Sequence, residues 1–196
     1  MKNYQIILRK VGWCLIIIGI IDIGIMLWCS LTHTNYSSIF NIFAVIAGIL
    51  LLRNSLKTAR IVAWFAAFMI AIIIITAILT PFLFPFDLLL IYLRISPLNS
   101  ILAIGFAIFA TILFIWLYVM LTNQSVLAAM DEALINYKLF LRNPKGGYWV
   151  GVFLTIILFA LLYALLNGEQ AQKAKEYAET QIGNGYKFHV KSINVS

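Results

Sequence analysis

The sequence predicts an all-α integral membrane protein, a five-helix transmembrane bundle with a short extracytoplasmic helix-strand tail. Three observations predict it. The 196 residues are 63% hydrophobic and 11% charged, against roughly 45–50% and 25% in soluble domains. Mean hydropathy is +0.99, so the chain cannot cover itself with water-compatible surface. Five apolar stretches reach or approach the ~20 residues that a spanning helix needs, and the cations fall in small groups between them. A soluble globular domain is excluded. With 4 Pro and 11 Gly, a disordered or collagen-like chain is excluded as well.

The predicted spans are 11–30, 36–52, 61–80, 100–121 and 148–166, together a transmembrane domain over 1–166. Lipid supplies no partner for backbone polar groups, so each span is read as a helix. The runs lack the alternation of barrel strands. The first span follows Lys2, Arg9 and Lys10 and resembles a signal peptide only superficially. Its apolar run exceeds the ~7–15 residues of a signal core, and no small-x-small site follows. It is read as an uncleaved anchor. The second span is short, and its apolar core begins at Ser38.

Loop cations give the orientation. With the C-terminal tail left out, Lys2, Arg9, Lys10, Arg53, Lys57, Arg60, Lys138, Arg142 and Lys145 fall on one side, and Arg94 alone falls on the other. This places the N-terminus in the cytoplasm and the C-terminus outside, as in a multi-pass protein of a bacterial inner membrane. It also accounts for the net charge of +7. Nucleic acid is not an expected partner, because the cations form no continuous basic face. Trp13, Trp64, Trp116 and Trp149 lie near predicted cytoplasmic ends and Trp28 near the outer end of the first span, the pattern of an aromatic belt.

Three segments lie outside the spans. Within 81–99, Asp87, Leu90, Ile91 and Arg94 share one helical face, predicting a short helix in the outer interface; a re-entrant segment is the alternative. The stretch 125–142 reads as a cytoplasmic amphipathic helix. Leu127, Met130, Leu134, Tyr137 and Leu141 recur at helical spacing, Ser125 is the expected cap, and Asn143-Pro144-Lys145-Gly146-Gly147 the expected stop. Such a helix lies on the membrane surface or docks a partner. In the tail, 167–196, residues Glu169–Ile182 are helical in composition, with Glu169 and Lys173 as an i,i+4 pair. Tyr186, Phe188 and Val190 then alternate with Lys187, His189 and Lys191 as a strand. A lone strand exposes unpaired backbone groups. It is completed by later strands of a longer chain, adds to a partner's sheet, or is a disordered end.

Asp22 is the one acid inside a span. A carboxylate at a helix centre in lipid costs about 2.5–3.5 kcal/mol on insertion scales, so it should face protein or water. It is read either as a buried side chain bonded to a neighbour such as Asn41 or as a proton or cation site. No catalytic or metal site is expected. HExxH, Walker A, GxSxG and dinucleotide fingerprints are absent. His33 and His189 lie outside the spans, so a haem between helices has no ligands and no cofactor is predicted. Cys14 and Cys29 lie about 22 Å apart along one helix and cannot pair with each other.

Small residues recur at i,i+4 and mark candidate helix-packing positions: Ala44 and Gly48, then Ala63, Ala67 and Ala71, with further rows at Ala103/Ala107/Thr111 and Gly151/Thr155. The first two rows flank a short loop, which predicts a hairpin of the second and third spans. The stretch Ala47-Gly48 through Leu50-Leu51-Leu52-Arg53 to Ala59-Arg60 resembles a pattern frequent in uncharacterised bacterial inner-membrane proteins. The end of the chain, Gly168 to Ser196, resembles the start of membrane-anchored helix-plus-sheet domains of the cytochrome oxidase assembly type. That resemblance covers about 30 residues in layout and implies an assembly or scaffold role without transferring a site residue.

Two functions compete at this point. The first is a non-enzymatic assembly factor, scaffold or accessory subunit, with the lipid bilayer and a membrane-protein partner or second copy around it. The second is a small oligomeric transporter or channel with Asp22 in the pathway. Against the second, the chain shows no internal duplication of the kind many transporters carry.

Overall fold

The computed structural model describes residues 2–32, 41–84, 86–133 and 143–182. Among them are eight helices: α1 (Asn3–Leu31), α2 (Asn41–Leu52), α3 (Leu56–Leu83), α4 (Phe86–Ile95), α5 (Pro97–Leu121), α6 (Gln124–Glu132), α7 (Lys145–Asn167) and α8 (Glu169–Ile182). No strand occurs among the described residues. The predicted strand at 186–190 lies outside them. Four helices are long and apolar enough to cross a membrane: α1, α3, α7 and the Ser100–Leu121 part of α5. The protein is thus an all-α, multi-pass membrane bundle. α2 has 12 residues, about 18 Å of rise against a ~30 Å hydrocarbon core; residues 33–40 before it lie outside the described residues.

Pairing follows two separate seams. α1 packs antiparallel on α2, and α3 packs on α7 and α5. The α2–α3 contact expected from the adjacent small-residue rows exists, through Phe43 and Phe65 with centroids 5.6 Å apart, but it is minor. Geometry decides this: the turn between the two helices is only Arg53-Asn54-Ser55. The Ser55 N–H donates to the Leu50 carbonyl at 3.1 Å and the Asn54 N–H to Leu51 at 2.9 Å. Asn54 sits at φ 59°, so α2 ends in a Schellman motif with asparagine in the left-handed position. Ser55 then caps α3, its hydroxyl accepting from the Thr58 N–H at 3.3 Å.

Helix ends differ from the sequence expectation in instructive ways. α1 begins at Asn3, not at residue 11, because Leu8 and Val11 bury completely in the bundle. α3 runs past Pro81 to Leu83. A proline in the last turn removes one intrahelical bond rather than breaking a helix midway. Pro97 opens α5 at its first turn, where a missing N–H is harmless. Of the Asn143–Gly147 motif, expected as a stop, Asn143 and Pro144 are not helical, and Lys145 opens α7.

α6 departs further. It is capped by Asn123, whose side chain accepts from the Ser125 N–H at 3.1 Å, not by Ser125 itself. Val126, Ala129 and Met130 of its apolar face are buried, and the helix touches α1 and α3. The Thr122-Asn123 turn carries it across to α1 and α3. Leu134, Tyr137, Leu141 and the rest of 134–142 lie outside the described residues.

The core sits at one end. Leu8 and Leu15 of α1, Leu51 of α2, Val62 of α3 and Phe114 and Leu117 of α5 are buried together. This is the end that carries Lys2, Arg9, Lys10, Arg53, Lys57, Arg60 and Lys145. Phe65 joins three helices there, with Phe43 on α2 and Phe114 on α5, the latter at 6.4 Å edge-on. At the opposite end the bundle opens. No residue of α4 is buried, and residues 101–109 of α5 are exposed around the whole circumference. α8 matches the sequence reading in its bounds, and Glu169 and Lys173 form the expected pair at 2.6 Å. Both side chains are solvated, so the pair adds little stability.

Candidate functional site

Asp22 is the first candidate, and the helix that carries it explains its place. The buried residues of α1 are Leu8, Val11, Gly12, Leu15, Gly19 and Asp22. Their spacing of three and four draws one stripe, and Asp22 ends it, 9% exposed. The carboxylate therefore lies on the helix face turned to protein, as its desolvation cost requires. The antiparallel contact of Gly12 with Gly48 sets the register and brings Asp22 level with the first turn of α2, where Asn41 stands. The Asn41 side chain lies outside the described residues, so the expected bond between the two lies there as well.

The small-residue rows take different partners from those nearest in sequence. Ala44, Ala63, Ala67 and Ala71 are all buried, none more than 4% exposed. Gly48 lies against α1: a Cβ there would meet the Gly12 carbonyl oxygen at 2.7 Å, and one on Gly12 would meet the Gly48 oxygen at 2.8 Å. Backbone thus rests on backbone. On the second seam, a Cβ at Gly151 would stand 2.7 Å from the Phe68 oxygen and 2.9 Å from Ala71 Cβ, and one at Gly147 would overlap the Trp64 carbonyl oxygen. Thr155 completes the row, its hydroxyl donating to the Gly151 carbonyl at 2.7 Å. Gly12 and Gly147 escaped the sequence reading. Gly147 carried a usable signal, since Gly147, Gly151 and Thr155 repeat at four residues.

The space at the middle of the bundle is nearly filled. Between Leu15, Phe43, Val62, Phe65, Phe114 and Leu117 remain about 10 Å³, room for about one water at most. A larger groove of about 450 Å³ opens between α3, α5 and α7 near the basic end, with Lys145 at its rim. Cys14 and Cys29 both lie half-buried on α1. Among the described residues no group of three His, Cys, Asp or Glu side chains is arranged to hold a metal ion; His33 and His189 lie outside them. No protein-family profile, curated protein or solved structure matches the chain.

Proposed function

We propose that this chain is a non-enzymatic accessory or assembly subunit of a membrane complex, with five spans, a cytoplasmic N-terminus and an extracytoplasmic C-terminus. One observation carries the partner-binding reading. Along half of a spanning helix, residues 101–109 of α5, every described side chain is exposed. A Cβ added at Gly105 would meet nothing within 4 Å. The segment carries the small-residue row Ala103/Ala107, the type of surface on which a second helix approaches closely in lipid. α4 lies beside it and offers a further exposed apolar face at Phe86, Leu90 and Ile91. A spanning helix of another subunit is the occupant that fits.

The test is affinity purification in mild detergent. The wild-type chain should bring down a membrane-protein partner, and Ala107→Leu should lose it while the bundle stays folded, because the Ala107 side chain is exposed. Failure of the variant to release the partner would sink the α5 surface. A lone homo-oligomer that conducts ions in liposomes would favour the second reading, a small transporter or channel. That reading draws support from the burial of Asp22 on the α1 seam. The space between Leu15, Phe43, Val62, Phe65, Phe114 and Leu117 is only about 10 Å³, which weighs against a water path at that point.

The orientation rests on the loop cations and on the clustering of the described ones at one end of the bundle. In this reading α2 belongs to the fifth crossing. Single cysteines at Ser37, Lys57, Lys138 and Ser192 in a Cys14→Ser, Cys29→Ser background test it in intact spheroplasts. Positions 37 and 192 should label from outside and positions 57 and 138 should not. Outside labelling at position 57 would overturn the assignment.

A further inference from the structure

We propose that the groove between α3, α5 and α7 binds an anionic phospholipid. Its volume of about 450 Å³ falls in the roughly 300–1,000 Å³ range of ligand pockets. Ala67 and Ile70 of α3 and Ile115 of α5 make an apolar wall. The groove surface is almost wholly apolar, and Lys145, Tyr148, Tyr118 and Trp149 are the described lining residues that carry a polar side-chain atom. The two kinds of lining are ordered along the axis. Lys145 opens α7, Gly147 is level with Trp64, and Gly151 is level with Phe68. The groove therefore starts at a cation and continues along apolar side chains. That order matches a charged headgroup followed by an acyl chain.

The sign of the headgroup follows from the charges. Among the described residues, Lys145 is the one charged residue lining the groove, and no carboxylate lines it. No described carboxylate pairs with Lys145, whereas Lys173 holds Glu169 at 2.6 Å. Arg60 stands seven residues before Ala67 on α3, on the same face and nearer the basic end. Phenol hydroxyls of Tyr118 and Tyr148 can donate to a phosphate oxygen. Basic pockets between spanning helices attract anionic headgroups in this way. A soluble anion does not explain the rest of the site: Trp149 on the rim is 69% exposed and Ile115 45%, both facing the medium that a membrane fills with lipid. Tyr148 and Trp149, edge-on at 5.8 Å, are the residue types that settle at headgroup level.

The site is separate from the α4–α5 surface, so either proposal can fail without the other. The test is native mass spectrometry of the full chain in detergent, titrated with equimolar phosphatidylglycerol and phosphatidylcholine. The wild-type protein should retain phosphatidylglycerol in preference. Lys145→Gln should lower that preference about fivefold, the effect of one cation near a membrane surface. Lys57→Gln, also at the basic end but outside the groove, should leave it nearly unchanged. Ile115→Trp fills the groove from an exposed position and should lower retention of both lipids. Equal retention of the two lipids by wild type would overturn the proposal. So would equal losses in the two lysine variants, or undiminished binding by Ile115→Trp.

Discussion

Gly147→Ala is expected to detach the start of α7 from α3. The added methyl carbon would overlap the Trp64 carbonyl oxygen and crowd the Phe68 nitrogen at 3.2 Å. Both obstacles are backbone of a central helix, so no side chain can rotate away. Overpacking a tight core costs about 1–3 kcal/mol, and more where backbone must move; about 3 kcal/mol is the expected loss here. Gly105→Ala is the matched control, because its new carbon meets nothing. That substitution should gain about 0.5–1 kcal/mol from helix propensity. Thermal unfolding in detergent, followed by near-ultraviolet circular dichroism, separates the two. Trp64 stacks on Phe68 at 5.6 Å, so the aromatic signal reports this seam directly. Equal midpoints for the two variants would show that α7 does not depend on the glycine contact.

Gly12→Ala and Gly48→Ala should each destabilise the α1–α2 pair, and the double variant should cost less than the sum. Each methyl presses on the carbonyl oxygen of the other glycine, at 2.8 and 2.7 Å. Either substitution forces the helices apart, and the second then enters space already opened. Residues in contact show coupling of about 0.5–3 kcal/mol, and the sign expected here is compensating. A double-mutant cycle on unfolding in detergent measures it. Strict additivity would mean that the two glycines are not each other's obstacle. Lipid tails are as apolar as the helix faces, so burial of apolar area contributes little to association within the membrane. Close packing carries the pair instead, which is why a single methyl group has leverage.

Membrane insertion and helix content were legible in the sequence, because both are local consequences of composition. A run such as Ile61–Thr80 has no other way to satisfy its backbone in lipid. The Glu169–Lys173 pair was legible for the same reason, since four-residue spacing alone brings it together. Asp22 was legible as a residue that must turn inward. Its surroundings were not, because the facing side chain comes from another helix.

The sequence by itself determined the apolar helices, the basic end and the small-residue rows available for close approach. Only the tertiary structure decided which rows meet. Ala44/Gly48 and Ala63/Ala67/Ala71 flank one short turn, and proximity in sequence suggested that they pair. Instead Gly48 rests on Gly12, and Ala71 lies beside Gly151. The choice depends on matching bare backbone to bare backbone at one height, and on bulky Phe65 filling the space between α2, α3 and α5. Small-residue spacing is the same on every such helix, so periodicity cannot rank the partners. The same limit applies to α6, whose apolar face suits a membrane surface or a protein core equally well. A two-residue turn after α5 put Val126 and Met130 against the bundle, and that constraint exists only once the bundle has formed.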